Sequence, residues 1–290
     1  MQAQLIPTAF CEEATTAFAD LLQGRAPATL NDEYFTRDWS PLWDELVRDD
    51  WTTIADRAGG QFSLLDLTAF AQVWGRYLVP LPFAATLAVR RGRQTPPGPQ
   101  ARLTYALAEP AATLVPHGRA ADLVLTADRL AETAALAEQA GTDNWAASAP
   151  IAILPAGLAP VGPAIAAEAA ILAASEAVGA ATEVLRRAVE YAKVREQFGQ
   201  PIGRFQAIKH RLANMHCGAE LAASALAWAC SEPDDIPRAL RSALADCLLV
   251  AEQAIQVHGG IGYTWEAAPH RFYRHIMSMR RIVLAAVGQA

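Results

Sequence analysis

The sequence predicts a mainly α-helical protein, with a helical N-terminal domain, a reduced β region in the middle and a C-terminal four-helix bundle. Three observations predict it. Apolar residues recur at intervals of three and four from about Glu12 to Val89, and again beyond Pro163. Arg93-Gln-Thr-Pro-Pro-Gly-Pro-Gln reads as a linker by composition. Between that linker and Pro163 lie short β-prone runs. The expected boundaries are therefore 1–92, 93–162 and 163–290.

In the first region, Phe10 to Leu22 carries apolar residues at helical spacing. Pro41-Leu-Trp-Asp-Glu-Leu offers Ser40 as an N-cap, a proline in the first turn and acids near the positive end of the helix. Ser63 begins a further helix expected to stop around Gly75, after which Pro80-Leu-Pro-Phe forces an extended exit. In the middle region, Arg102 to Leu107, Asp122 to Thr126 and Ile151 to Leu154 read as strands, with two or three more runs before Pro163. About sixty residues are too few for a full barrel and suit a remnant of one.

The bundle has the sharpest pattern. Phe205, Ile208, Leu212, Met215, Ala219, Ala222 and Leu226 fall on one seam, and Leu240, Leu244, Cys247, Ala251 and Ile255 form a second. The first bundle helix, about Ala164 to Lys193, is rich in Ala and contains Gly179, which lets neighbouring helices approach closely. The nearly uncharged stretch Ala149–Thr182 resembles a membrane span. Four prolines break its first half, however, and Glu168 and Glu176 interrupt the second, so a loop and a packed helix are expected.

Composition narrows the function classes. With 52% hydrophobic and 19% charged residues the chain cannot be disordered, and a net charge of −6 provides no basic field for nucleic acid. Cys11, Cys217, Cys230 and Cys247 make no CxxC pair and are expected as buried free thiols in a reducing cytoplasm. The N-terminus lacks a basic segment followed by an apolar run, so no signal peptide is expected. The six histidines show no metal spacing, and no metal site is proposed.

Two segments carry more than packing. In Arg195-Glu-Gln-Phe-Gly-Gln-Pro-Ile-Gly203, Gly199 and Pro201 are expected to end one helix and Gly203 to open the next. The turn would present Arg195, whose planar fork suits a phosphate, and Phe198, whose face suits a ring. In Ile255-Gln-Val-His-Gly-Gly-Ile-Gly-Tyr-Thr264, closely spaced glycines let backbone amides approach a ligand, and Gln256 could turn its amide the same way. This is not a dinucleotide fingerprint, because it follows a helix and its spacing differs. On physics alone both segments can equally be helix caps, with His258 a cap residue.

Together they resemble the C-terminal domain of the acyl-CoA dehydrogenases. Glu190 to Lys209 is similar to the family signature entering its second bundle helix. Ala254 to Glu266, with Pro269 and Arg271-Phe-Tyr-Arg274, is similar to its second signature. The resemblance implies FAD bound across a subunit interface, with Arg195 and Phe198, backed by Gln206, forming one grip on the adenosine-diphosphate half, and Gln256, Gly259 and Gly260 the other.

The departures matter equally. Family chemistry removes an α proton from an acyl thioester with a carboxylate while hydride passes to the flavin. In most members the base matches Val283 here; in others it matches Ala169, with a helper arginine at Ala170. Glu168 lies one residue away, rotated about 100° around the helix. The loops that seat the flavin ring are reduced to a faint echo at Glu109-Pro-Ala-Ala and Val115 to Asp122. The resemblance thus implies a base-lacking subunit of an α2β2 dehydrogenase, of the kind found in actinobacterial sterol side-chain degradation. It would complete the FAD site for a full-length catalytic partner that holds most of the acyl-CoA. The alternatives are an independent flavoenzyme with a displaced base such as Glu168, or a helical scaffold that has lost flavin.

Overall fold

The computed structural model describes residues 7–25, 30–57, 62–127, 129–134, 141–143, 145–155 and 158–288. Five helices come first: α1 (Ala9–Arg25), α2 (Asp32–Thr36), α3 (Ser40–Arg48), α4 (Leu64–Tyr77) and α5 (Phe83–Gly92). They enclose stacked aromatic rings, with Phe83 against both Phe18 (5.0 Å) and Trp74 (4.8 Å). Ser63 and Asp66 form a reciprocal capping box at the start of α4. Burial works against the Asp66 charge, yet hydrogen bonds from Thr8 and Ser63 hold its carboxyl below the usual range.

Two expectations in this region are corrected. Ser40 is the first residue of α3, not its cap; Trp39 holds that position without a side-chain bond. Gly75 does not stop α4, which runs to Tyr77 and ends with Leu78 in the left-handed region. A Cβ on Gly75 would overlap the backbone carbonyl of Glu176, and one on Gly179 would overlap that of Gln72. The glycine is there to admit a helix, not to end one. The compositional linker is also strapped down: Arg90, 1% exposed, donates to the carbonyls of Pro97 (3.0 Å) and Gly98 (2.7 Å), while its other nitrogen meets Asp56.

Among its described residues the middle region holds seven strands: β1 (Leu103–Tyr105), β2 (Leu107–Glu109), β3 (Ala112–Pro116), β4 (Leu123–Leu125), β5 (Leu130–Glu132), β6 (Gly141–Asp143) and β7 (Ile151–Pro155). They form a three-stranded sheet ordered β1-β4-β5 and a four-stranded sheet ordered β2-β3-β7-β6. Among the described residues of these two sheets, the β1–β4 pairing alone is parallel.

The bundle follows as α6 (Pro163–Val194), α7 (Gln206–Ser231), α8 (Ile236–His258) and α9 (Pro269–Val287). Met215, Ala219, Ala222 and Leu226 of the α7 seam are buried, as are all five residues of the α8 seam. By length and composition α6 could cross a membrane, but 78% of its most apolar window is packed inside the protein. A buried polar junction joins the β region to the bundle. His275 of α9 meets Ser148 through Nδ1 (2.9 Å) and Glu176 of α6 through Nε2 (3.4 Å). His117 is buried nearby at a positive φ of 52°; burial first, and then the His275 charge, pushes its imidazole down to about 3.

Cys11 and Cys247 are buried as expected, Cys230 is half-buried, and Cys217 is exposed on α7, so the expectation of buried thiols fails there. Cys217 stands two residues from the buried Met215 and so on another face of the helix. Burial pushes the thiols of Cys11 and Cys230 up to about 12, which removes them from thiolate chemistry.

Candidate functional site at the end of the bundle

The α6–α7 connection is a small hairpin and not a bare helix stop. After α6 ends at Val194, β8 (Glu196–Gln197) pairs with β9 (Gln200–Pro201), and Phe198-Gly199 makes the two-residue loop. Both loop residues have positive φ, 54° and 77°, the signature of a type I′ turn. Gly199 adopts this freely, whereas Phe198 is strained by it and stands 93% exposed. Gly203 sits within the following 3₁₀ turn, Ile202–Arg204, where an added Cβ would lie 2.9 Å from the Ala192 carbonyl. The expected helix-ending role of Gly199 and opening role of Gly203 are therefore replaced by hairpin and packing roles.

The α8–α9 connection divides its glycines by task. Gly259 follows α8 with φ 65° and ψ −143°, a conformation that other residues avoid. Gly262 packs closely, since a Cβ there would lie 2.6 Å from the Ile255 carbonyl. Gly259 and Gly260 both have open space where a side chain would stand. Their backbone is accessible because nothing covers it.

The two connections face one another across an open hollow of about 640 Å³, lined by Arg195, Phe198, Gly259 and Gly260 among others. Tyr191 and His258 fasten its floor. Their rings stack at 4.4 Å, and the Tyr191 hydroxyl donates to the His258 carbonyl at 3.4 Å. His258 Nδ1 bonds the Ala254 carbonyl (2.8 Å), which makes Nδ1 the protonated nitrogen of the neutral ring. Burial pulls its pKa down, so the imidazole is neutral at pH 7. Tyr191 is not among the site residues expected from the sequence, and its place in the Glu190–Lys209 signature is the signal that points to it.

Of the six residues expected to hold a cofactor, the structure brings four to this hollow. Gln206 opens α7 on an exposed face outside the lining. Gln256 also lies outside it and donates from Nε2 to the Tyr263 hydroxyl at 2.7 Å. Arg195 differs from the other cations of its helix. Arg186 and Arg187 hold Glu183 and Lys193 holds Glu190, whereas among the described residues no carboxylate pairs with Arg195. A forked cation free to donate suits a phosphate or pyrophosphate, and the uncovered glycine backbone beside it gives such a group room, while the Gly259 amide itself donates to the Gln256 and Ile255 carbonyls.

The positions expected for a base are apolar. Val283 and Ala169 are buried, as is Ala170. Glu168 points to α5, where its carboxylate lies 3.3 Å from Arg91.

Residues 164–282 match the family model for the acyl-CoA dehydrogenase C-terminal domain, and the chain belongs to the acyl-CoA dehydrogenase family. Acyl-CoA dehydrogenase IpdE2 of Mycobacterium tuberculosis is 35% identical over 231 residues, covering 75% of this chain and 72% of the relative. Acyl-CoA dehydrogenase FadE34 of the same organism is 46% identical over 96 residues, which span 30% of this chain and 14% of FadE34. The fold is shared with the ChsE4–ChsE5 complex of M. tuberculosis (TM-score 0.77, 19% identity, 99% and 96% of the two chains). It is shared equally with the Tcur3481–Tcur3483 steroid ACAD G363A variant (TM-score 0.77, 20% identity, 96% and 94% covered). The family's fold is an FAD-binding one.

Proposed function

We propose that this chain is a subunit of a heteromeric, flavin-dependent acyl-CoA dehydrogenase, completing an FAD site whose ring lies on a catalytic partner. The observation that carries the reading is the pairing of Arg195 with the open backbone of Gly259 and Gly260, inside a rim of exposed apolar side chains. Phe198 and Ile261 line the hollow and are 93% and 42% exposed, while Val194 at the end of α6 and Tyr263 and Trp265 in the α8–α9 connection stand close by in sequence and are 59–75% exposed. An apolar rim around an anion-binding centre is the form of a surface that a second protein covers.

Arg195 would hold a pyrophosphate with its fork, and the side-chain-free backbone of Gly259 and Gly260 would let that group come close. Phe198 offers its ring face to the nucleotide. FAD supplies hydride acceptance when bound; this chain's residues bind and orient its nucleotide half. The base falls to the partner, since the two positions where relatives carry it are buried Val283 and Ala169 here and Glu168 is committed to Arg91. The solved neighbours named for two-component assemblies, one of them a steroid ACAD, support a two-component arrangement and a steroid-derived acyl-CoA.

The test is Arg195→Ala in the co-expressed assembly. FAD retention is expected to fall on the order of ten- to a hundredfold, because charge-assisted hydrogen bonds to the pyrophosphate are lost. Unchanged flavin content in an intact assembly would favour the scaffold reading instead.

A further inference from the structure

A second hollow, of about 350 Å³, lies between β2 and the C-terminal half of α9. Its volume falls within the range of small-molecule sites. Measured from Pro269, where the α8–α9 connection ends, Ser278 lies nine residues along α9, on the order of 13 Å away. The nucleotide hollow and this one share no lining residue.

The walls are of three kinds. Met277 and Leu284 are apolar and half-buried, and Trp145 adds an indole that is 49% exposed. That indole is held from outside: the Arg274 guanidinium lies 5.5 Å from its ring centroid and does not itself line the hollow. Arg274 in turn stands 5.2 Å over Trp265, and Arg271 5.1 Å over the same ring, so Trp145 is the end of a cation–aromatic ladder built on α9. The cations are the third kind. Arg281 is bound through two nitrogens to the Glu109 carboxylate, at 3.1 and 2.9 Å, which offsets the acid at the floor. Arg280, its neighbour on the helix, is exposed, and no carboxylate lies within ion-pairing distance among the described residues. An excess cation therefore stands beside a fixed aromatic face and an apolar wall.

We infer that this hollow is a separate binding site for a small acid carried on a flat ring system, its anionic group on Arg280 and its ring against Trp145. The two hollows share no lining residue, so the inference stands apart from the nucleotide grip, although Trp265 belongs to a connection that frames the first hollow and Glu109 to the segment that echoes the flavin-ring seat. A carboxylated polycycle and a nucleoside monophosphate share this chemistry, and the probes must separate them.

Isothermal titration of the full chain, or of its co-purified assembly, would use 2-naphthoate, its neutral counterpart 2-naphthalenemethanol and AMP. Binding of 2-naphthoate is expected, with Arg280→Ala weakening it about tenfold. The same substitution should leave any binding of the alcohol unchanged, and Trp145→Ala should weaken both aryl probes. If AMP binds with the same dependence on Arg280 and naphthoate does not, the acid is a nucleotide phosphate. Absence of binding by naphthoate and AMP at millimolar concentration, or binding indifferent to Arg280→Ala, would overturn the inference. Arg280 is exposed, so its variant is expected to fold, and FAD content checks that the first hollow is intact.

Discussion

Helix α6 makes two contacts of opposite character. Midway along, it crosses α4 backbone against backbone, with Gly75 and Gly179 each leaving room for a carbonyl of the other helix. At its C-terminal end it runs into the hairpin that holds Phe198 almost wholly in water, beside Gly259 and Gly260, whose open sides meet nothing. Both places use glycine. In the first, the missing side chain is filled by the protein itself; in the second it is left unfilled. The first use makes a fold, the second exposes backbone to something else. Substitutions at the two places should therefore separate stability from binding.

The largest effect is expected at the crossing. Gly179→Ala should cost about 3 kcal/mol or more, since the added methyl has only backbone to push against. Urea denaturation would measure this, and a cost below about 1 kcal/mol would mean the crossing is looser than described. A second effect sits at the buried junction between the β region and the bundle. The pKa of His117 is depressed in the folded protein, so its contribution is complete above the ordinary imidazole value near 6.5 and is lost as pH falls toward 3. One such group makes stability fall by at most about 1.4 kcal/mol per pH unit across that window. His117→Asn, which suits the positive φ, should flatten this slope in unfolding midpoints measured from pH 7 to pH 4. His258 and His270, also depressed, would leave a remainder. The smallest effect is expected at the open end. Phe198→Gly should change stability by no more than about 1 kcal/mol, and in the stabilising direction, because it relieves a strained φ at an exposed site. Its FAD retention should nonetheless drop. Equal loss of stability and flavin would erase the distinction between the two contacts.

How much of this could be read from the sequence depended on whether the cause was local. The α7 and α8 seams were legible because burial follows helical period, and Gly179 because a lone glycine in an Ala-rich helix signals close approach. Gly75 was misread because the helix that demands it lies 100 residues later, at Glu176, and single-sequence reading sees only a residue that weakens helices. The type I′ hairpin was missed because its first position favours Asn, Asp or Gly, and Phe198 occupies it against that preference. Four of the six site residues converge on one hollow because they belong to two connections at the same end of the bundle. Gln206 rests on resemblance alone, and Gln256 on resemblance and its amide; both sit at exposed helical positions outside the lining, and the Gln256 amide is taken by Tyr263.

Which polypeptide holds the flavin is open to direct measurement. FAD content and dehydrogenase activity should be measured for this chain purified alone, and for the same chain co-expressed with a full-length dehydrogenase subunit that carries a base. A colourless, inactive protein is expected in the first case, and stoichiometric flavin with activity in the second. A yellow, active enzyme assembled from copies of this chain alone would contradict it.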